Sequence, residues 1–424
     1  MTTSMARTVR LRPLSMVAEG DEVLVGDPES GTFVTIPAIG GVVITALRRG
    51  ATIEDAAAEA EAAAGQPVDV PAFVTTLTEL GFVDSGPGDS GPGHNGPGGH
   101  REAVRTAPIQ GRRWLAGVSQ SLARPLFGRV AWTCYTALAL ICVGVFATTT
   151  ELFPNPAKDA FLLDDIGLSA VLLAPLSMLT VALHEGGHWL AARAIGIRCR
   201  FGVDRRMMLL VFETDLTQLW SVPRGKRYGP LLGGMAVDIV LLSVLLTARL
   251  LVHASIWTAP AWVDAILAMG VYLKLAGLLW QCMVFLRTDL YAVLVNLLGC
   301  HNLWRVKSLM LRNAFRRLTA QQAEELSQAS DADRRAARWF RWVWLGGFAG
   351  VLGWFAVFVL PVITVVLGWT GTRMSTGPLD GQFWYGLLCA TLLLGPYLLA
   401  AAFTIKEYAQ RMFTRAISTG YSAN

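Results

Sequence analysis

The chain has 424 residues, of which 53% are hydrophobic and only 16% charged, a composition too apolar for an ordinary soluble protein of this length. Its formal net charge of +5 comes from basic residues that flank apolar segments, so we expect no role in binding nucleic acid. The six cysteines include no Cys-x-x-Cys pair and are interpreted as small buried hydrophobes, which argues against disulfides or a thiolate metal site. No apolar segment lies near Met1, so we expect no cleavable signal peptide.

The first predicted unit is a small soluble domain, assigned to residues 1–84. Within residues 17–84, the apolar runs EVLVGD and TFVTIP are separated by the turn-rich DPESG, a pattern typical of a β-hairpin. Three helical patterns follow, each ending at a glycine, and the second begins with a Thr-x-x-Asp capping pattern at Thr52. This order of strand, strand and three helices predicts a small α+β domain of the winged-helix type.

A linker and a basic juxtamembrane segment are predicted at residues 85–126. The stretch SGPGDSGPGHNGPGG at 85–99 contains too much glycine and proline to build a core. It is therefore expected to tether the first domain flexibly to the rest of the chain.

The remainder is predicted to be a polytopic all-α membrane protein. Six segments are long and apolar enough to cross the roughly 30 Å hydrocarbon core of a bilayer as helices. They lie at residues 130–150, 166–183, 229–252, 260–286, 342–372 and 381–405. The corresponding regions are a membrane core of four spans at 127–299, a cytoplasmic amphipathic loop at 300–341, two C-terminal spans at 342–405 and a cytoplasmic tail at 406–424.

Lysine and arginine residues are concentrated on one side of these spans. They are abundant before the first span and after the second, fourth and sixth, whereas the loops on the other side offer only Lys158 and Arg373. Because cytoplasmic loops carry the excess of Lys and Arg, both termini are expected in the cytoplasm. The protein is thus predicted to be integral to a membrane and in contact with its lipid.

The motif HEGGH brings ionisable groups to the second apolar segment. His184 and His188 lie at i and i+4, hence on one helix face and about 6 Å apart, which suits two adjacent ligands of a tetrahedral zinc ion. Glu185 lies beside them and is predicted to act as the base that takes a proton from the attacking water. Ionisable groups in a span are costly unless they are paired or bind metal. The alternative is two helix histidines that face a cytosolic vestibule.

The run ALHEGGHWLAARAIG resembles the signature of the site-2 protease family of intramembrane zinc metalloproteases. The resemblance implies a third zinc ligand, an aspartate from a later helix end. Asp289 corresponds to it, although Leu290 stands where the family has glycine. The second and fourth predicted spans both run towards the cytoplasm, so His184, His188 and Asp289 can meet near that face. The alternative for Asp289 is an interfacial acid paired with Arg287.

The third span opens with GGMAVD, which by its spacing is similar to a Gly-Pro-x-x-Asn motif of the same family. Asp238 takes the position of the asparagine and Met235 that of the proline. The resemblance implies that Asp238 contacts substrate or the oxyanion, although an ionised carboxylate cannot donate a hydrogen bond to an oxyanion. Lys274, in the fourth span, is a candidate partner for Asp238, whereas Asp264 lies near the opposite face and is a poor ligand candidate.

The first domain, which ends in ELGFV, resembles PqqD-like domains that recognise the leader peptides of ribosomally made, modified peptides. Such domains bind an extended leader as an added strand. The two resemblances together imply a zinc metalloendopeptidase of a bacterial plasma membrane that cleaves a precursor peptide near the cytoplasmic face during maturation or export.

Three alternatives remain open. The first domain can be a packing or regulatory domain, because its order of elements hosts many functions. The protease can instead release a membrane-tethered regulator. Finally, the protein can be a non-catalytic membrane subunit that presents a precursor peptide to a modifying enzyme or exporter.

Overall fold

The computed structural model describes residues 8–84 without 29, 104–105, 112–113, 118–393 without 198, 207 and 208, and the single positions 395, 402 and 406. Most of this part is helical, and it contains two small antiparallel sheets. The predicted linker at 85–99 lies outside the described residues, as does the predicted tail at 406–424 apart from position 406.

The N-terminal region is an α+β unit with a sheet followed by three helices. Its antiparallel strands are β1 (Ser15–Glu19), β2 (Glu22–Asp27) and β3 (Thr32–Pro37). Its helices are α1 (Ala38–Arg48), α2 (Ile53–Ala64) and α3 (Val70–Glu79). The predicted hairpin and three helices are confirmed, but β1 was not predicted, because SMVAE is too short to show a strand pattern without its partner β2. A short fourth strand, β4 (Val104–Arg105), pairs with β3.

Apolar side chains from both layers form the core of this unit. Val25 of β2, Ile44 of α1 and Leu77 of α3 are at most 1% exposed and pack in one cluster. Full burial of such a side chain is worth about 1.5–3 kcal/mol, so these contacts hold the helices on the sheet. The predicted cap at Thr52 is confirmed, since its side chain accepts a hydrogen bond from the backbone N–H of Asp55.

The remaining elements form a helical region with a second sheet. In chain order they are β5 (Arg112–Arg113), α4 (Gln120–Ala123), α5 (Arg129–Thr148), α6 (Pro156–Asp159), α7 (Ile166–Ala194), β6 (Arg200–Arg206), β7 (Leu209–Asp215), α8 (Arg224–His253), α9 (Ala261–Gln281), α10 (Asp289–Leu298), α11 (Leu303–Ala314), α12 (Ala320–Ser327), α13 (Asp331–Trp354) and α14 (Leu360–Met374). The sheet has the order β5-β6-β7. Residues 381–393 are also helical.

Five helical segments among the described residues are long and apolar enough to cross a membrane. They are α5, α7, α8, α9 and the continuous segment Asp331–Met374, in which a π-helical turn joins α13 to α14. These segments match five of the six predicted spans. Of the sixth, predicted at 381–405, residues 381–393 are helical, and most of the remainder lies outside the described residues.

Several helix ends differ from the predicted span boundaries, and two of them have a clear local cause. The fourth span ends at Gln281 rather than at 286, because a 3-10 turn and the left-handed backbone of Arg287 (φ 61°) follow it. The fifth begins at Asp331, inside the predicted loop, because the Ser330 side chain caps the helix by accepting from the N–H of Asp333. As a result, Asp289 begins α10 and does not end the fourth span.

Helices α7 and α8 approach each other closely at two glycines. A Cβ added to Gly187 would lie 2.4 Å from the carbonyl oxygen of Gly233, and one added to Gly233 would lie 2.5 Å from that of Gly187. Neither helix can therefore carry a side chain here at the observed separation. The contact brings the HEGGH turn of α7 against the first half of α8.

We expect Gly187→Ala to destabilise the protein, because overpacking of a close contact costs about 1–3 kcal/mol. Gly186→Ala is the matched control, since a Cβ at Gly186 meets nothing within 4 Å and alanine favours a helix by about 1 kcal/mol. Thermal unfolding of the purified proteins in detergent compares the two. Equal stability of both variants would contradict the close helix contact.

Candidate metal centre

Three side chains from two helices converge at the HEGGH turn. The Nε2 atoms of His184 and His188 lie 3.1 Å apart, and Asp289 Oδ2 lies 2.9 Å from the first and 3.1 Å from the second. The i and i+4 spacing on α7 brings the rings together, and the N-terminus of α10 supplies the carboxylate. The structure therefore brings together the three residues predicted as ligands.

The second nitrogen of each histidine faces an acceptor. His184 Nδ1 lies 2.7 Å from Asp238 Oδ2, and His188 Nδ1 lies 2.7 Å from the carbonyl oxygen of Pro230. A carbonyl or an ionised carboxylate only accepts, so each Nδ1 carries the proton and donates it. When the rings are neutral, each then presents the lone pair of Nε2 to the other ring and to Asp289. Orientation of this kind is typical of histidines that ligate metal.

The turn between α9 and α10 fixes the position of Asp289. The side-chain oxygen of Gln281 accepts from the backbone N–H of Asp289 at 3.1 Å, and Thr288 Oγ1 donates to the carbonyl of Gln281 at 2.7 Å. This orients the amide of Gln281 so that its Nε2 lies 3.3 Å from His184 Nε2. The described residues show no ion pair between Asp289 and Arg287, whose guanidinium lies 5.8 Å from the ring centroid of Trp304.

Glu185 is held at one of its two carboxylate oxygens. The backbone N–H of Thr214, on β7, donates to Glu185 Oε2 at 3.0 Å, and Thr214 Oγ1 donates to the backbone carbonyl of Glu185 at 2.9 Å. Potential ligand atoms of Glu185, His184 and His188 lie within 4.8 Å of one another. The glutamate is therefore close enough to act on a molecule at the histidines, or to serve as a ligand itself.

Asp238 has both carboxylate oxygens engaged by other side chains. Oδ2 accepts from His184, and Oδ1 accepts from Lys274 Nζ at 2.6 Å. The pairing of Asp238 with Lys274 is thus present as expected. The predicted contact of Asp238 with substrate or oxyanion stays a prediction. The geometry instead favours a contact with Nδ1 of His184, on the side of the ring away from Nε2.

A glycine leaves space in front of the histidines. A Cβ added to Gly234 of α8 would lie 2.5 Å from His184 Nε2 and 2.6 Å from His188 Nε2. Any larger residue at this position would occupy the space beside both nitrogens. The side chain of Asp289 is 28% exposed, whereas those of His184 and His188 are 10% and 4% exposed, so access to the cluster is on the aspartate side.

The donor set fits a divalent metal ion. Two imidazole nitrogens and a carboxylate oxygen are ligands that zinc accepts, and bonds of about 2.0–2.1 Å in a tetrahedron place ligand atoms about 3.3 Å apart. The observed separations of 2.9–3.1 Å are slightly smaller, so a modest outward shift accommodates the ion. With both rings neutral and no cation, three electron-rich atoms would face one another.

Sequence reasoning did not identify two residues of this site. The side-chain amide of Gln281 contacts the backbone of Asp289, and the backbone N–H of Thr214 contacts Glu185. No short motif marks either residue. Comparison with known proteins adds no further candidate, because no family model matches the chain and no curated protein or solved structure is significantly similar to it.

Proposed function

We propose that this protein is a zinc-dependent endopeptidase of a bacterial plasma membrane that cleaves a peptide near the cytoplasmic face. The observation that carries the proposal is the convergence of His184, His188 and Asp289 with their Nε2 and Oδ2 atoms within 3.1 Å, beside Glu185. Two oriented histidines, a third ligand and an adjacent carboxylate are the groups that metal-assisted hydrolysis requires.

Each residue has a distinct role in this proposal. His184, His188 and Asp289 would hold the zinc ion, which supplies a Lewis acid that polarises a carbonyl and acidifies water. Glu185 takes the proton of the attacking water and delivers it to the departing amine. Because Thr214 donates to Oε2, the proton is carried on Oε1. The amide N–H of Gln281 points to the metal-facing side of His184, where it can donate to the substrate carbonyl oxygen.

The position of the site along α7 suits hydrolysis at a membrane surface. His188 lies six residues before the end of α7 at Ala194, or about 9 Å at 1.5 Å per residue. Peptide hydrolysis needs water and an exposed backbone, both of which are scarce in the bilayer core. The distribution of Lys and Arg predicts that this end of α7 faces the cytoplasm, together with both termini.

The N-terminal unit contacts the helical region close to the metal centre. Glu19 of β1 pairs with Arg227 of α8 at 2.6 Å, and both side chains are at most 3% exposed. Trp220, in the 3-10 turn after β7, packs on the face of the sheet formed by Val17, Leu24 and Phe33. The unit therefore touches α8, whose Pro230 contacts His188, and the turn that follows β7, the strand whose Thr214 contacts Glu185.

This docking supports a role of the N-terminal unit in delivering substrate. We propose that it binds the leader of a ribosomally made, modified precursor peptide and so raises the local concentration of that peptide at the site, to about mM for a tethered ligand. The cleavage is then a step in maturation or export. Cleavage of a membrane-tethered regulator would use the same chemistry but would not need leader recognition.

Mass spectrometry of the purified protein with candidate peptides tests the proposal. Precursor peptides encoded beside its gene, a leaderless version of the same peptide and an unrelated peptide are incubated with zinc-loaded protein. Cleavage of the leader-bearing peptide at one site is the expected result. Equal cleavage of all three would remove leader recognition, and no cleavage of any peptide would favour the non-catalytic presenting subunit.

We expect Glu19→Gln to raise the KM for a leader-bearing peptide by about tenfold or more with a smaller effect on kcat, because a displaced N-terminal unit no longer concentrates the substrate. The buried Arg227 loses its charged partner, and breaking a buried ion pair costs about 3–5 kcal/mol. Arg12→Gln is the control, since Arg12 pairs with Asp27 at 3.7 Å and its side chain is 50% exposed. An unchanged KM in Glu19→Gln would contradict substrate delivery through this contact.

A further inference from the structure

A buried pair of opposite charges lies directly behind the metal centre. Asp238 of α8 and Lys274 of α9 are each 4% exposed, and their Oδ1 and Nζ atoms are 2.6 Å apart. Lys274 Nζ also donates to the backbone carbonyl of Thr180, on α7, at 3.1 Å. One ammonium thus joins α9 to α8 and to α7, the helix that carries the HEGGH turn.

Neither charge is expected here on its own. Both residues lie within segments that can span a membrane, where an isolated carboxylate or ammonium is costly and ionisable groups are functional candidates. Pairing reduces that cost but rarely makes a buried ion pair more stabilising than apolar residues of the same volume. Stability alone therefore does not account for the pair.

The second oxygen of Asp238 connects the pair to a metal ligand. Oδ2 accepts from His184 Nδ1 at 2.7 Å, which leaves Nε2 of His184 facing His188 and Asp289. Lys274 and His184 both donate to the carboxylate of Asp238, which therefore links the ammonium to the imidazole. Outer partners of this kind fix the tautomer and the ring orientation of a ligating histidine.

We propose that Lys274 and Asp238 form a positioning pair for His184. The ammonium balances the charge of Asp238 and holds it in place, and the carboxylate holds the Nδ1–H of His184 so that Nε2 is presented to the metal. The inference rests on the metal binding of the proposed function, and it requires no peptide cleavage. It also explains how this site tolerates an aspartate so close to a ligand within an apolar segment.

Metal affinity of the full-length protein in detergent is the direct measurement. Zinc is titrated in competition with a chromophoric chelator, and the absorption spectrum of the cobalt-loaded protein reports the coordination geometry. We expect Lys274→Met to weaken zinc binding by about 10–100-fold, the usual effect of losing an outer partner of a ligand.

Arg249→Met is the matched control for loss of a buried cation. Arg249 lies further along α8, its side chain is 11% exposed, and it is 3.9 Å from Asp159 and 3.8 Å from Asp264. Its removal disturbs a comparable charge cluster away from the histidines, so zinc affinity and the cobalt spectrum are expected to remain those of the wild type.

A charge-balanced comparison isolates positioning from folding. Asp238→Asn with Lys274→Met and Asp238→Ala with Lys274→Met both remove the two charges. Only the first keeps an oxygen that accepts from His184 Nδ1. We expect the asparagine variant to bind zinc about 10–100-fold more tightly than the alanine variant, a difference that remains measurable if Lys274→Met alone does not fold.

The outcomes separate this inference from the proposed function. Wild-type zinc affinity in Lys274→Met, or equal affinities in the two charge-balanced variants, would overturn the positioning role. A wild-type protein that binds no metal would overturn both the inference and the proposed zinc site. The predicted affinity differences in a protein that cleaves no peptide would support the positioning pair while refuting the peptidase.

Discussion

A Glu185→Gln protein is expected to bind zinc like the wild type and to cleave its peptide about 10²–10⁴-fold more slowly, the range for loss of a general base. Glutamine has the same shape as glutamate, and its side-chain oxygen can still accept from the N–H of Thr214. It cannot take a proton from water. The variant thus removes one chemical step and preserves the contact between α7 and β7.

The measurement is single-turnover cleavage of a leader-bearing peptide, followed by mass spectrometry, with zinc content determined on the same samples. Glu151→Gln is the control, because Glu151 lies in the turn Thr150–Leu152, which follows the C-terminal end of α5. Undiminished cleavage by Glu185→Gln would show that Glu185 is not the base and would remove the proposed mechanism. A non-catalytic presenting subunit predicts no cleavage in either variant and unchanged binding of the peptide.

Asp289→Ala is expected to weaken zinc binding by more than about 100-fold, since loss of a direct ligand exceeds the 10–100-fold effect of an outer partner. Cleavage should fall with the metal content. Asp264→Ala is the matched control, because Asp264 lies in the first turn of α9 and its nearest charged partner is Arg249, at 3.8 Å. Metal analysis of protein purified with and without a chelator gives the comparison.

The same pair of experiments identifies the third ligand. Glu185 and Asp289 both lie next to the histidines, so either carboxylate can complete the site. If Asp289→Ala keeps its zinc and Glu185→Gln loses it, the ligand set is His184, His188 and Glu185, and the assignment of Asp289 is wrong. If instead Asp289→Ala loses its zinc and Glu185→Gln keeps it, Asp289 is the ligand and Glu185 the base, as proposed.

Several features of the fold and site are encoded locally and could be predicted from the sequence. The i and i+4 spacing in HEGGH places His184 and His188 on one face of any helix that contains them. Five of the apolar segments form long helices, and each has the roughly 20 apolar residues that could cross a bilayer. The alternating direction of successive predicted spans also indicated that Asp289 could meet the two histidines, as it does.

Other features depend on which surfaces of distant segments meet. The contact of His184 with Asp238 joins residues 54 positions apart, and that of Asp238 with Lys274 joins residues 36 apart. Hydrophobic periodicity identifies the apolar face of a helix but not the neighbour on which that face packs. The sequence therefore suggested a partner for Asp238 but could not indicate that the pair stands behind a metal ligand.

Three further contacts were decided only by the tertiary structure. The packing of Gly187 on Gly233 sets the separation of α7 and α8, Thr214 holds Glu185 from a strand, and Glu19 docks the N-terminal unit on Arg227. Each depends on a distance between separate elements of the chain. Composition, capping residues and motif spacing describe one element at a time, so they determined where the helices form and that the two histidines share a helix face. The packing of α7, α8 and α9 determined how those histidines are oriented and from which side they are reached.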